Sequence, residues 1–466
     1  MESNGPMTQK LLNVGSVVLI CLPLLGVIIF AEGYDSGQVV PSQVKATVSR
    51  TEGSILDIVI AMLVILSVAQ LLGSFMSRLR QPRIIGEMLA GILLGPSVMG
   101  ILAPQFSASI FAPAVLPSLS ALSNIGLVIF MFLVGLQFDP HELRGQGSTV
   151  LLVSNVGVAV SMFTGLLLAA YLYPRFSSPG AGFPTFAAFM GVTMSITAFP
   201  VLASILASRG MMRSPLGALS LSCAAINDFI GWIFLGAIVA WVRGSSAAYP
   251  AWFGIVGAIA FTGVMIVVIR PLLYRLFPSS SPVTDLYASI ALLFALTAAA
   301  TTEYLGIHLV FGAFLAGVIL PHHAEFTHYL LRRFETLTQI LLLPLFFAFA
   351  GLRMNMEMVQ GSELWLSTAL IVLVAFTGKF GSSAIAARFS GLTWQDALTV
   401  GALMNTRGLM ELVALNIGLD IGVISPTLYS MMVLMTILTT VATGPSIDML
   451  QSNRLSHSMA VAKAVP

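Results

Sequence analysis

The sequence has little charge and almost no cysteine. Of its 466 residues, 9% are Asp, Glu, Lys or Arg, against about 25% in soluble proteins. The 21 basic and 19 acidic residues give a net charge of +2, which provides no basic face for nucleic acid, because phosphate binding needs clustered positive charge. The two cysteines, Cys21 and Cys223, lie in apolar runs, so neither a disulfide framework nor a thiolate metal site is available.

The sequence has instead a large excess of hydrophobic residues, 57% of the total. A transmembrane helix needs about 20 mainly apolar residues, and on this criterion the sequence predicts an all-α polytopic membrane protein with about 14 transmembrane helices. The first, Leu11–Ala31, is interpreted as a retained helix rather than a signal peptide, because its apolar run is long and no A-x-A cleavage pattern follows it. The other predicted spans are 54–77, 84–102, 118–138, 148–173, 183–208, 215–242, 251–276, 285–304, 306–321, 336–352, 364–387, 395–418 and 424–445.

The distribution of Lys and Arg predicts the orientation. When these spans alternate across the bilayer, most basic loop residues fall on the side of the N-terminus, which the positive-inside rule assigns to the cytoplasm. An even number of spans then places both termini in the cytoplasm. We expect a multi-pass protein of a bacterial inner membrane, embedded in membrane lipid.

Two of the predicted spans are interrupted near their middle. The segment Ser195-Ile-Thr-Ala-Phe-Pro200 breaks the first of them, because proline lacks an N–H and clashes with the preceding turn. The segment Asn405-Thr406-Arg407-Gly408 breaks the second with a polar run and a glycine, both of which are poor helix formers. Either interruption alone would be interpreted as an ordinary helix kink.

The two interruptions occupy matching positions in two predicted repeats. Residues 54–242 and 285–446 form six-helix units of inverted topology, and each has its break in its fifth helix. A linker helix, 243–284, joins them; an extra N-terminal helix with an extracytoplasmic loop, 1–53, precedes them; and a short cytoplasmic tail, 447–466, follows. Paired broken helices in inverted repeats predict a transporter with its site near the membrane midplane.

Asp228, at the centre of its span beside Asn227, is the candidate ion-binding residue. Ionisable groups within the membrane are costly and suggest function. A carboxylate at this depth can hold a proton or a dehydrated Na+ or K+, but not both, because both use the same negative charge. The Asn227 amide oxygen and the hydroxyls of Ser195 and Thr197 could complete an oxygen shell. The structural alternative is a buried Asp that only bonds at a helix contact.

Four further ionisable residues fall within the predicted spans. Lys379 lies at a depth from which it could pair with Asp228, or it could instead bind the carbonyl ends of the broken helices. Arg407 and Glu411 are spaced i, i+4, a spacing that allows an ion pair. We interpret them as a structural ion-pair network rather than as part of the transport pathway, because a guanidinium does not release its proton. Glu87 could join this network.

Six stretches of the sequence together resemble one transporter family. Residues 54–445 are similar to the monovalent cation:proton antiporter-2 family, which includes plant cation/proton exchangers and bacterial Na+/H+ and K+/H+ antiporters. The stretches are Gly86-Glu-Met-Leu-Ala-Gly-Ile-Leu-Leu-Gly-Pro96, Ser195-Ile-Thr-Ala-Phe-Pro-Val-Leu-Ala203, Ala225-Ile-Asn-Asp228, Gly306-Ile-His-Leu-Val-Phe-Gly-Ala-Phe-Leu-Ala-Gly317, Gly378-Lys379 and Met404-Asn-Thr-Arg-Gly-Leu-Met-Glu-Leu412.

This resemblance implies a role for each matching residue. Asp228 is then the ion-carrying carboxylate, with Asn227 beside it, Thr197 in the crossing of the broken helices, and Lys379 as the membrane lysine. It also implies the sodium/proton antiporter fold, a homodimer in which a core domain moves against a dimerisation domain, and no cofactor. The helix at 11–31 is additional to the family's common thirteen-helix plan.

We therefore expect secondary active antiport of a monovalent cation, K+ or Na+, against protons, serving ion and pH homeostasis, and no enzymatic activity. Relatives that move net charge have Asp-Asp where this chain has Asn227-Asp228, so we expect electroneutral exchange. The alternatives are a cation channel and a sodium-coupled symporter of an organic anion.

Overall fold

The computed structural model describes residues 55–137, 147–212, 214–246, 251–277, 284–305 and 308–463. The predicted helix Leu11–Ala31 and the loop after it lie outside these ranges. The described residues form helices, α1 to α20, with one isolated antiparallel bridge between Ser177 and Ile424. The helices are α1 Ile55–Arg78, α2 Arg83–Leu94, α3 Met99–Leu102, α4 Pro104–Ile110, α5 Leu116–Gln137, α6 Gly147–Phe176, α7 Phe183–Ser195, α8 Phe199–Ser208, α9 Pro215–Ser246, α10 Ala251–Val264, α11 Arg270–Leu276, α12 Asp285–Tyr304, α13 Leu309–Ile319, α14 Ala324–Leu337, α15 Leu343–Leu352, α16 Ser362–Phe376, α17 Ser382–Phe389, α18 Trp394–Met404, α19 Leu409–Asp420 and α20 Pro426–Lys463.

Several consecutive helices are continuous with each other along the chain. Single π-helical turns at Met265–Ile269, Thr338–Leu342 and Thr377–Gly381 join α10 to α11, α14 to α15 and α16 to α17. Such turns insert one extra residue into a helix without ending it. Lys379 lies in the third of them.

The expected all-α membrane fold is confirmed. In the described part of the chain, eleven helical stretches are long and apolar enough to cross a bilayer. The predicted span 306–321 corresponds to the shorter helix α13, and the predicted span 395–418 to the broken pair α18 and α19. The total of 14 spans stays a prediction.

The chain divides into two compact units. The small unit consists of the described residues of Ala121–Asp139 and Val239–Leu343, and the large unit of those of Ile55–Ser120, Pro140–Ile238 and Pro344–Pro466. Both broken helices belong to the large unit. This division reflects packing rather than internal symmetry, so the boundaries of the two predicted repeats stay predictions.

Glycines allow the helices within each unit to approach closely, as small residues commonly do between membrane helices. In the large unit, a Cβ added to Gly351 on α15 would lie 2.5 Å from the carbonyl oxygen of Met88 on α2. In the small unit, a Cβ on Gly317 of α13 would lie 2.6 Å from the backbone nitrogen of Leu136 on α5. Neither contact leaves room for a side chain.

Candidate ion-binding site

The first broken helix is interrupted between Ser195 and Phe199. α7 ends at Ser195, Ile196 and Ala198 have extended backbone with ψ of 139° and 97°, and α8 begins at Phe199. The sequence correctly predicted an interruption but placed its cause at Pro200. In the structure Pro200 lies in the first turn of α8, where a missing N–H costs nothing.

The second broken helix is interrupted by the predicted polar segment. α18 ends at Met404 and α19 begins at Leu409. Gly408, which precedes α19, has φ 155° and ψ −119°, a backbone conformation that residues with a side chain rarely adopt. A Cβ at this position would lie 2.7 Å from Cγ2 of Val201 on α8. The glycine therefore permits both the backbone turn and the close approach of the two broken helices.

The two interrupted segments contact each other directly. Thr197 Oγ1 donates to the carbonyl of Met404 at 2.9 Å, and the backbone nitrogen of Ala198 donates to the carbonyl of Thr406 at 3.0 Å. All four residues are fully buried. Because buried backbone groups released by a helix break need other partners, each interruption supplies partners to the other.

Two cationic side chains bind the carbonyl end of α7. Arg407 donates from Nη1 to the carbonyl of Thr193 at 3.1 Å and from Nη2 to that of Met194 at 2.8 Å. Lys379 Nζ donates to the carbonyl of Ser195. The carbonyl end of a helix carries partial negative charge, so α7 ends against two positive charges inside the large unit.

Arg407 also forms the ion pair that its spacing predicted. Its Nη1 lies 2.9 Å from Glu411 Oε1, and neither side chain has any exposed surface. Glu87, in contrast, does not join this network. Its carboxylate binds Nε of Arg83 at 3.1 Å on the same helix, because the i, i+4 neighbour is a closer partner than a residue on α19.

Whereas the two cationic side chains bind the carboxyl-terminal end of α7, the carboxylate of Asp228 lies at the amino-terminal end of α8. Its side chain is buried on α9, and its Oδ2 accepts a hydrogen bond from the backbone nitrogen of Phe199 at 3.2 Å. The amino end of a helix carries partial positive charge, which favours an anion. Oδ1 of Asp228 has no hydrogen-bond partner among the described protein atoms.

Lys379 and Asp228 do not form the direct ion pair that the sequence allowed. No such pair occurs among the ion pairs of the described residues at up to 4.0 Å. Lys379 instead adopts the alternative arrangement, at the carbonyl end of a broken helix. The carboxylate of Asp228 is thus left with one backbone donor.

Asn227 connects Lys379 to a residue that the sequence did not single out. With its amide nitrogen toward Ser154, the nitrogen lies 2.5 Å from Ser154 Oγ and 3.3 Å from the carbonyl of Cys223, and its oxygen lies 3.0 Å from Lys379 Nζ. Amide orientation is assigned from the hydrogen-bond network, and only this orientation gives a complementary partner to both amide atoms. Ser154 was missed because one serine among many in apolar helices carries no distinguishing pattern.

The hydroxyls expected in the cation shell are hydrogen-bond donors here. Ser195 Oγ donates to the carbonyl of Val192 at 2.8 Å, and the hydroxyl of Thr197 is used in the crossing. Their lone pairs still allow them to act as oxygen ligands. Asn405 and Thr406 are buried; the Thr406 hydroxyl donates to Leu403, while neither amide atom of Asn405 has a partner among the described atoms.

The side chains of Asp228, Asn227, Asn405, Ser195 and Thr197 offer carboxylate, amide and hydroxyl oxygens as ligands in this region. Among the residues that the structure describes, no group of three or more His, Cys, Asp or Glu side chains could hold a metal ion. Hard oxygen ligands suit alkali cations rather than transition metals. The absence of a resident cofactor stays a prediction.

An all-helical membrane protein with two broken helices that cross beside a buried carboxylate belongs to the class of secondary transporters. The chain belongs to the sodium/hydrogen exchanger family, whose transmembrane sequence model matches residues 59–451. The resemblance found in the sequence is thereby confirmed.

Individual relatives are also similar over most of the chain. It is 37% identical over 398 residues to the Na(+)/H(+) antiporter NhaS4 of Synechocystis sp., covering 84% of this chain and 96% of that protein. It is 36% identical over 421 residues to cation/H(+) antiporter 17 of Arabidopsis thaliana, covering 88% of this chain and 51% of the relative. It is 30% identical over 393 residues to K(+)/H(+) antiporter 1 of Saccharomyces cerevisiae, covering 82% of this chain and 45% of the relative. The chain thus spans about half the length of these plant and yeast relatives.

A solved structure has the same fold. The sodium proton antiporter MjNhaP1 from Methanocaldococcus jannaschii matches with a TM-score of 0.62 at 15% sequence identity, over 84% of this chain and 98% of that one. At this identity the match concerns the fold alone.

Proposed function

We propose that the protein is a secondary active antiporter that exchanges a monovalent cation, Na+ or K+, for a proton at Asp228. NhaS4 and the yeast relative carry names of Na+/H+ and K+/H+ antiporters, which supports exchange but leaves the choice of cation open. Electroneutral exchange, a homodimer and an inner-membrane location with cytoplasmic termini belong to the same proposal.

The observation that carries this proposal is the environment of the Asp228 carboxylate. It is buried, it lies at the amino end of α8, and it receives a single backbone hydrogen bond. A buried charge is costly unless it is neutralised, and a proton or an alkali cation would each neutralise it. Because both bind the same charge, release of one accompanies binding of the other, which is the requirement for antiport.

Transport also requires that this site face each side of the membrane in turn. Both broken helices, with Asp228, Lys379 and Arg407, lie in the large unit. We propose that this unit is the moving core and that the small unit contributes the dimerisation domain, so that Asp228 crosses with its ion in an elevator-like cycle.

The test is exchange by purified protein in proteoliposomes with a trapped pH-sensitive dye. Addition of Na+, K+, Li+ or Rb+ should release protons, and the cation that acts at the lowest concentration identifies the substrate. Asp228→Asn should reduce this signal to the level of empty liposomes, because an amide neither releases a proton at physiological pH nor supplies a negative charge.

Glu357→Gln is the matched control, since it also removes one carboxylate but from an exposed position. It should exchange as the wild type does. Normal exchange by a monodisperse Asp228→Asn protein would overturn the proposal. Cation flux that follows voltage without proton movement would instead identify a channel.

A further inference from the structure

Ser154 lies on α6, in contact with the helix that carries the ion-binding residues. Its side chain is fully buried, its Oγ lies 2.5 Å from the side-chain amide of Asn227, and it lies 3.4 Å from the carbonyl of Cys223. A serine whose hydroxyl needs only one acceptor can donate to a carbonyl of its own helix, as Ser195 does. Ser154 instead binds across to α9.

The hydrogen bonds around Ser154 all have the same direction. Lys379 Nζ donates to the oxygen of Asn227, and the amide nitrogen of Asn227 donates to Ser154 Oγ at 2.5 Å and to the carbonyl of Cys223 at 3.3 Å. The Ser154 hydroxyl donates to the same carbonyl. Hydrogen bonds in such a buried chain polarise and strengthen one another. If the amide were reversed, its NH2 group would face the ammonium, placing two donors against each other.

We propose that Ser154 is a positioning residue for cation binding. By accepting the shorter of the two hydrogen bonds from the Asn227 amide nitrogen, it keeps the amide oxygen toward Lys379 and so holds that ammonium at the carbonyl end of α7 and away from Asp228. This inference rests on the proposed function.

The consequence follows from the charges in the site. An ammonium whose amide partner is no longer held in place is drawn toward the buried carboxylate of Asp228, because attraction between opposite charges is strong where water is excluded. A transported cation would then have to displace Lys379 before it could bind Asp228. The concentration of cation needed for half-maximal exchange should rise, whereas the maximal rate should change little.

Ser154→Ala is the test variant and Ser161→Ala its matched control. Ser161 is buried on the same helix, and its hydroxyl has no hydrogen-bond partner among the described atoms. Ser154→Ala should raise KM for the cation about fivefold, the equivalent of losing one buried hydrogen bond, with the maximal rate within about a factor of two. Ser161→Ala should match the wild type in both constants.

The same substitution in a Lys379→Met background tests the route of the effect. With the ammonium removed, Ser154→Ala should no longer change cation affinity. Affinity is read there as the rise in melting temperature of the purified protein on titration with Na+ or K+, because this measurement does not require transport. Persistence of the affinity loss without Lys379 would overturn the inference.

Two other results would also overturn the inference. One is a KM of Ser154→Ala equal to that of Ser161→Ala. The other is a lower melting temperature of Ser154→Ala with an unchanged KM, which is the signature of a purely structural serine. Asp228→Asn is measured in parallel. If that variant still exchanges ions, the proposed function fails; if it is inactive while Ser154→Ala behaves as Ser161→Ala, only the inference about Ser154 fails.

Discussion

The Arg407–Glu411 pair provides the sharpest test of the architecture around the broken helices. Both side chains have no exposed surface and their charged groups lie 2.9 Å apart. Removing one partner of a buried ion pair leaves an uncompensated buried charge and costs about 3–5 kcal/mol. Arg407→Met should therefore destabilise the protein by that amount, through the unpaired carboxylate of Glu411 and the uncovered carbonyls of Thr193 and Met194.

The double variant Arg407→Met, Glu411→Leu should be at least about 1 kcal/mol more stable than Arg407→Met alone, since it leaves no unpaired charge. Arg175→Met is the matched control. Arg175 pairs with Glu363 at 3.5 Å, and the two side chains are 43% and 74% exposed. Exposed pairs contribute about 0–1 kcal/mol, so this control should cost no more than that.

The assay is unfolding of each purified variant in mixed micelles with increasing fractions of a denaturing detergent, followed by tryptophan fluorescence. It gives the free energy of unfolding of each variant relative to the wild type. Equal stability of the single and double variants would refute the reasoning, because the cost would then not arise from an unpaired charge. So would a loss in Arg175→Met as large as that in Arg407→Met.

Two further outcomes follow from the site. Gly408→Ala should destabilise the protein by about 2–4 kcal/mol in the same assay, because Gly408 has a positive φ and an added Cβ would contact Val201. Gly381→Ala is the control: Gly381 lies in helical backbone with open space around it, so this change should be neutral or slightly stabilising. Equal effects of the two substitutions would contradict the geometry. If Asp228 is the one carboxylate that exchanges a cation for a proton, an imposed membrane potential should leave the exchange rate nearly unchanged. Movement of one net charge across about 100 mV would instead change the driving energy by about 2.3 kcal/mol. A correspondingly strong voltage dependence of the exchange rate would reject electroneutral exchange.

The membrane fold and the two interruptions could be predicted from the sequence because each leaves a local signal. Apolar runs of sufficient length specify spanning helices, and a proline or a polar segment with glycine in such a run marks a break. The position of the first break was less predictable. Pro200 lies in the first turn of α8 rather than kinking a continuous helix. Which residues of a proline-containing segment leave the helix depends on the partners available to their backbone.

The partners of the charged residues were less accessible to sequence reasoning. The i, i+4 spacing of Arg407 and Glu411 indicated their pair, because both lie on one chain segment. Glu87 follows the same rule with Arg83, although the sequence also left open a more distant partner in the Arg407–Glu411 network. The contact of Lys379 with Ser195 joins residues 184 positions apart, and depth in the membrane alone cannot distinguish that carbonyl from the carboxylate of Asp228.

By itself, the sequence determined that the protein spans the membrane many times, that two of its helices are broken, and that Asp228 is a charge at midspan, since charge within an apolar run is rare enough to stand out. Only the tertiary structure decided which residues of the two breaks contact each other, that Lys379 binds a helix end, and that Ser154 lies within hydrogen-bond distance of Asn227. Hydrogen bonds between distant helices depend on how those helices pack, and a serine in an apolar segment reads the same whether its hydroxyl binds its own helix or its neighbour.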